Sequence, residues 1–384
     1  MSILLDGRPI RVPVSGVARY CLSLANALLR LQDSGNLEEL PLPDVLVQSG
    51  GGINKTIAAL DDRLTKIELT PFGKTRKTQN LVMEFLPALT AATSLSKYDI
   101  IHETYFANLA YSPRHHKVAT IHDVFPIEHP HLFNMNNLLL AKRNFFRQVK
   151  LSDAIIAVSQ YTKQRIIELS GCPEDRIAVI GCGVNPADAE KANDATWPIA
   201  GKLGKNDNYC LYVGNLEPRK NVDALIDAWA MLAPRHRDVK LVVAGKFNYR
   251  AEATISRGED RLGHRFVYLG PVDEPDKWGA LTAARALILP SLYEGYGIPI
   301  IEAYVAGTLA LFSRTSAMTE LALDARQMFD PLDIGSIAET IDAALDSSAW
   351  QADVRKRAEQ WVADQSWDRI AYDVASVYRR VLGR

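Results

Sequence analysis

Short apolar runs that end in glycine or polar loops recur along this 384-residue chain. Many are followed by stretches of helical periodicity, and this alternation constrains the fold more than any other feature. In the first half the runs are Ile3–Asp6, Val45–Val47, Lys66–Leu69, Ile100–His102, Val118–Ile121, Ala154–Val158 and Ile177–Ile180. In the second half they are Tyr209–Val213, Lys240–Ala244, Phe266–Leu269, Ala286–Leu289 and Leu309–Phe312. Strands joined through helices pair in parallel and are buried on both faces, so they read as near-continuous apolar runs. The expectation is an α/β protein with two doubly wound parallel sheets.

Between the two series, residues 186–208 are rich in Pro, Asn, Asp, Ala and Gly and read as a linker. The expected domains are 1–185 and 209–365, followed by a terminal helix over 366–384 in which Ile370, Val374, Val377, Tyr378 and Val381 recur at helical spacing. Apolar residues make up 47% of the chain, enough for two full cores, and the net charge of −1 gives no reason to expect nucleic acid as a partner. The four cysteines show neither metal-ligand spacing nor the density of a disulfide scaffold. The apolar run at the N-terminus is too short for a signal peptide, and no window reaches the roughly 18 apolar residues of a membrane span. A cytoplasmic protein, soluble or peripheral at the membrane, is expected.

Ligand chemistry concentrates where strands end. After Ala286–Leu289 comes Pro290-Ser291-Leu292-Tyr293-Glu294-Gly295-Tyr296-Gly297-Ile298-Pro299, a glycine loop opening onto a helix that Gly307 stops. Gly295 and Gly297 allow close backbone approach, and the helix start offers N–H groups and positive dipole to an anion. Glu294 and Glu302, separated by seven residues in the chain, can both face one cleft and accept sugar or ribose hydroxyls. After Tyr209–Val213, the loop Gly214-Asn215-Leu216-Glu217-Pro218-Arg219-Lys220-Asn221 places two cations at a helix start, where the dipole disfavours them. A diphosphate between them and the helix would remove the conflict. Lys246, after the next strand, either reaches a phosphate or is solvated.

In the first half, Ser15 can cap the helix that follows, and Gly16 can let a phosphate or sugar lie over its N-terminus. No Gly-x-Gly-x-x-Gly follows the first strand, which argues against a nicotinamide or flavin enzyme. His122 stands at a strand's carboxyl end, where it can donate to a sugar hydroxyl or a phosphate oxygen. His115, His116, His129 and His131 lack metal-binding spacing, and no metal site is expected. Two basic clusters, Gly73–Lys77 and the helix Leu138–Leu151 with Lys142, Arg143, Arg147 and Lys150, fit either anionic lipid headgroups or plain solvated surfaces.

The Glu294–Glu302 spacing around Glu-Gly-Tyr-Gly-Ile-Pro resembles the signature of retaining nucleotide-sugar glycosyltransferases of the GT-B fold. Leu216-Glu217-Pro218-Arg219-Lys220-Asn221 resembles a bacterial subgroup rich in mannosyltransferases of surface-polysaccharide assembly. Two departures stand out: Ala18 replaces a glycine of the first loop, and Asn215 occupies a position that is often Arg, with Arg219 displaced beside Lys220. The resemblance implies two Rossmann-like domains facing across a cleft, with the acceptor on the first and the donor on the second. It implies transfer of a hexose, most simply mannose from GDP-mannose, to a glycan or lipid-linked acceptor. That transfer would retain configuration and need no metal or other cofactor. Glu302 would hold the ribose, and Glu294 with the backbone of Tyr296 to Ile298 the transferred sugar. Arg219 and Lys220 would stabilise the leaving diphosphate, and His122 would position the sugar. A UDP-sugar donor, a GT-B sugar-nucleotide epimerase and a silent nucleotide-sugar binding protein stand as alternatives.

Overall fold

The computed structural model of the chain describes residues 1–10, 16–37, 40–47, 59–68, 95, 97–105, 115–130, 135–232, 234–247 and 251–383. The Ser15 cap and the basic cluster Gly73–Lys77 lie outside the described residues. The chain divides into two compact units: Met1–Gly183 with Trp367–Arg384, and Val184–Ser366.

The first unit is built on seven parallel strands, β1 (Ile3–Asp6), β2 (Asp44–Val47), β3 (Lys66–Glu68), β4 (Ile100–Glu103), β5 (His116–Ile121), β6 (Ala154–Ala157) and β7 (Ile177–Val179). Their order is β3-β2-β1-β4-β5-β6-β7. Described helices α1 (Gly16–Asp33), α2 (Met135–Leu151) and α3 (Gln160–Ser170) belong to its connections. The ends of α3 follow from the sequence: Ser159 accepts from the Thr162 amide at 3.0 Å, and Gly171 closes the helix at φ 67°.

The second unit has six parallel strands, β8 (Tyr209–Val213), β9 (Lys240–Ala244), β10 (Phe266–Gly270), β11 (Ala286–Leu289), β12 (Leu309–Ser313) and β13 (Met328–Phe329), in the order β10-β9-β8-β11-β12-β13. Its helices are α4 (Val222–Met231), α5 (Ala251–Leu262), α6 (Glu274–Ala283), α7 (Ile298–Val305), α8 (Ile334–Asp346) and α9 (Ser348–Ala363). In each sheet the order reverses beside the first strand, at β1/β4 and at β8/β11. Loops at such a switch point diverge to opposite faces and leave a crevice at the strands' carboxyl ends.

Residues 186–208 form part of the second unit and do not make a free linker. The turns Pro186–Asp194 pack on α6, the Thr196 amide donates to Asp276 Oδ1 at 2.8 Å, and a Cβ at Gly279 would lie 2.5 Å from that of Ala195. Their Pro and Asp content serves capped 3₁₀ turns, with Asn185 accepting from the Ala187 amide at 3.2 Å.

The terminal helix α10 (Trp367–Val381) belongs to the first unit and packs on α1. Trp367, Ile370, Ala371, Val374, Ala375, Val377 and Tyr378 are all buried along one face. Tyr378 Oη is 2.7 Å from His102 Nδ1, whose Nε2 is 2.8 Å from Thr120 Oγ1, and Tyr20 Oη lies 3.3 Å from that same hydroxyl. Burial pushes His102 down to about 3, so the ring is neutral and the network is held by uncharged hydrogen bonds.

Candidate active site

The loops after β8 and β11 flank the switch point of the second unit, and there the structure gathers most of the donor-side residues picked out in the sequence. Arg219 and Lys220 occupy a 3₁₀ turn, Pro218–Lys220, separated from α4 by Asn221 in the left-handed region at φ 56°. They therefore precede the helix by a residue and do not occupy its first turn. The dipole conflict inferred from the sequence is resolved by carboxylates of the protein itself. Lys220 Nζ is ion-paired with Glu294 Oε1, and Arg219 Nη1 lies 3.2 Å from Glu294 Oε2. Arg219 Nε also lies 3.1 Å from Glu217 Oε2.

Glu294 is buried and fixed from several sides. Ser291 Oγ donates to its Oε1 at 2.7 Å, its amide donates to Ser316 Oγ at 3.0 Å, and the Leu292 amide donates to the Arg219 carbonyl at 2.8 Å, tying the two loops together. Burial alone would raise its pKa, but Lys220 and Arg219 outweigh burial and hold the carboxyl at about 2. Burial pushes the Lys220 ammonium down, against the pull of Glu294.

Glu302 is the fifth residue of α7 and is also buried, but its partner is a different lysine: Lys277 Nζ lies 2.9 Å from Glu302 Oε1. The two carboxylates of the motif are thus held by different cations, Glu294 by Lys220 and Arg219 and Glu302 by Lys277. The α7 N-terminus is set by Gly297 at φ 113°, with no side-chain cap on the helix, while Gly295, Tyr296 and Ile298 are half-buried around it.

The loops after β8, β9 and β10 are stitched by the Gly214 amide to the Ala244 carbonyl at 3.0 Å, the Leu216 amide to the Lys246 carbonyl at 3.1 Å, and the Gly245 amide to the Gly270 carbonyl at 2.9 Å. Asn215 is exposed and Lys246 half-buried in this layer.

In the first unit, Gly16 is the exposed first residue of α1. His122 follows β5, with Nε2 2.9 Å from the Thr104 carbonyl and its ring edge-on to Tyr20 at 4.9 Å between centroids. Burial holds this ring at about 4, hence neutral, and a carbonyl can only accept, so its one proton is on Nε2. Nδ1 is then an acceptor, which corrects the donor role expected from the sequence.

Sequence reasoning missed Lys277, Ser291, Ser316 and Glu217. The available signal was the strand-end rule: Lys277 lies in a helix that starts just beyond β10, and Ser316 just beyond β12. Among the described residues, no group of three His, Cys, Asp or Glu side chains gathers around a metal-sized site.

Comparison with known proteins agrees with this architecture. The family Glycosyl transferases group 1 matches residues 194–361, and Glycosyltransferase Family 4 matches residues 14–188. The chain is 25% identical over 392 aligned residues to the O-antigen chain mannosyltransferase B of Escherichia coli, covering 99% of this chain and 100% of that one. It is 26% identical over 275 residues to the Serotype-specific mannosyltransferase WbdA of Escherichia coli, covering 69% of this chain and 33% of that longer protein. Among solved structures, Anabaena HepE in complex with UDP and glucose superposes with a TM-score of 0.71 at 18% identity, covering 99% of this chain and 100% of that one. With two parallel Rossmann-like sheets and these two domains along most of its length, the chain belongs to the glycosyltransferases of the GT-B fold.

Proposed function

We propose that the protein transfers mannose from GDP-mannose, with retention of configuration and without a metal, to a hydroxyl of a growing glycan or lipid-linked oligosaccharide in surface-polysaccharide synthesis. The observation that carries the reading is the cluster of half-buried Arg219 with buried Lys220 and Glu294 at the second unit's switch point, beside an α7 N-terminus that has no side-chain cap. Two cations and a helix start can neutralise a diphosphate where its charge grows as it leaves, the electrostatic assistance such a reaction needs most. Full-length similarity to a mannosyltransferase supports the sugar.

In this reading the diphosphate draws Arg219 and Lys220 away from Glu294, and Glu294 then accepts hydroxyls of the sugar together with the backbone of Gly295 to Ile298. Glu302 accepts the ribose hydroxyls. Asn215 and Lys246 border the phosphates and the nucleoside. His122 takes a hydrogen bond from a sugar hydroxyl through Nδ1, and Gly16 leaves the start of α1 open to the sugar. The acceptor attacks the face from which the diphosphate departs, and a phosphate oxygen takes its proton. Leu139, Leu140 and Phe146 are exposed on α2 alongside Lys142, Arg143, Arg147 and Lys150, which supports contact with an anionic membrane that carries the acceptor. No described helix is long and apolar enough to cross a membrane.

One observation favours a second donor: the similar HepE structure holds UDP and glucose. A thermal-shift panel of GDP, UDP, ADP and their sugar conjugates, run in EDTA, separates the two. At about a hundred times its dissociation constant a ligand stabilises by roughly 2.7 kcal/mol, a shift of a few degrees. Selective stabilisation by GDP and GDP-mannose is expected. Selective stabilisation by UDP compounds would move the reaction to a UDP-sugar, and a response to no nucleotide would overturn the donor site.

A further inference from the structure

We propose that Lys277 is a positioning residue for the donor nucleotide, holding the Glu302 carboxylate in the orientation that accepts the ribose hydroxyls. The inference rests on the reading of Glu302 as the ribose ligand. Helices α6 and α7 follow β10 and β11, so both begin at the carboxyl edge of the sheet, where ligands bind. Lys277 is the fourth residue of α6 and Glu302 the fifth of α7, which places the pair about one turn in from that edge.

Lys277 Nζ bridges two carboxylates, 2.9 Å from Glu302 Oε1 and 2.9 Å from Glu274 Oε2, and lies 5.0 Å from the centroid of the Trp278 ring. The side chains of Lys277 and Glu302 are only 7% and 8% exposed, whereas Glu274 is 45% exposed. An ammonium with an exposed carboxylate at hand gains little by turning inward, since desolvation opposes the pairing. Its inward placement makes sense if Glu302 is the carboxylate whose position matters.

A ribose presents two adjacent O–H donors. A carboxylate that receives them gains most when its plane is fixed before binding, because no rotamer freedom is then lost. Lys277 supplies the fixing contact without exhausting the carboxylate, which has about four acceptor sites. Asp273 caps α6 by accepting from the Asp276 amide at 3.0 Å, and so anchors the turn that carries the lysine.

A purely structural pair would only weld α6 to α7, and the two roles differ in one readout. The test is calorimetric titration of wild type and Lys277→Met with GDP and with 2′,3′-dideoxy-GDP, repeated with UDP and 2′,3′-dideoxy-UDP. The positioning role predicts that the substitution weakens GDP by about tenfold and the dideoxy nucleotide by less than about twofold. Equal weakening of the two overturns the proposal, because a general loosening of the helices would not distinguish them. If Lys277→Met fails to fold, Lys277→Gln carries the same comparison, since its shorter, uncharged side chain no longer brings an ammonium to Glu302. A preference of wild type for UDP would change the base while the same comparison reads Lys277. Equal wild-type affinity for ribose and dideoxyribose forms would remove Glu302 from the ribose and overturn the inference with it, as would binding of neither nucleotide.

Discussion

Replacing Glu294 with Gln should tighten the binding of free GDP while abolishing sugar transfer. Glu294 is the counter-anion of Lys220 and Arg219, and in the proposed reading a donor's diphosphate competes with it for both cations. The strength of that competition can be read from the carboxyl: burial pushes its pKa up, yet the two cations hold it at about 2 against 4.5 for an ordinary glutamate. At 1.36 kcal/mol per unit this is about 3 kcal/mol in favour of the charged form. If half of it is recovered by an incoming diphosphate when the competing charge is gone, GDP binds about tenfold tighter. Transfer falls nonetheless, because the sugar loses the acceptor that Glu294 provides. The variant is also less stable without ligand, since Lys220 keeps its burial and loses its main partner, at a cost of about 3 to 5 kcal/mol for such a broken pair. The pKa of Lys220, already lowered by burial, falls further in the variant, so the gain in affinity shrinks as pH rises. Calorimetric titration with GDP near neutral pH, with folding checked by thermal melts, reads the effect. Unchanged or weaker GDP binding by folded Glu294→Gln would refute the competition and with it the assignment of the diphosphate to these cations.

Lys220→Ala should lower transfer by at least about tenfold, or roughly 1.4 kcal/mol of transition-state stabilisation, in steady-state assays; an unimpaired variant would contradict its role. His102 is neutral in the fold at about 3 and titrates near 6.5 when exposed, so the unfolded chain takes up the proton first as pH falls. Its contribution is present above pH 6.5 and declines below it, by about 2 kcal/mol at pH 5, which urea midpoints should report as a loss that His102→Asn reduces. A Cβ at Gly245 would lie 1.8 Å from the Gly214 carbonyl oxygen, so Gly245→Ala must push the Gly214–Asn221 loop aside. Strain of this kind costs about 1 to 3 kcal/mol, and a drop in both melting temperature and transfer rate is expected. Co-sedimentation should find the protein on vesicles rich in anionic lipid but not on zwitterionic ones, and Phe146→Glu should release it.

The strands were legible because parallel β-structure buried on both faces forces apolar runs: Tyr209–Val213, Lys240–Ala244 and Ala286–Leu289 were placed to the residue. Met328–Phe329 escaped, since a two-residue edge strand leaves no periodic trace. The stretch 186–208 was misread because 3₁₀ turns capped by Asn, Asp and Pro share the composition of linkers. At the candidate site, Glu294, Gly297 and Lys220 were visible through loop chemistry after strands. Their mutual arrangement was not, since nothing in local sequence says that Lys220 pairs with a carboxylate 74 positions away. Lys277 was hidden for a related reason: a lysine near an acidic helix start reads as a solvated cation until the fold buries it against Glu302. The protonation of His122 likewise depends on the Thr104 carbonyl, a neighbour that only the sheet supplies.

The most direct test of the proposed reaction is GDP release from GDP-mannose in EDTA, measured with mannose-terminated oligosaccharide acceptors, with the anomeric configuration of the product read by NMR. The account predicts acceptor-dependent GDP release, an α-linked mannosyl product, and loss of both in Lys220→Ala. No acceptor-dependent release from GDP-mannose, or a β-linked product, would contradict it.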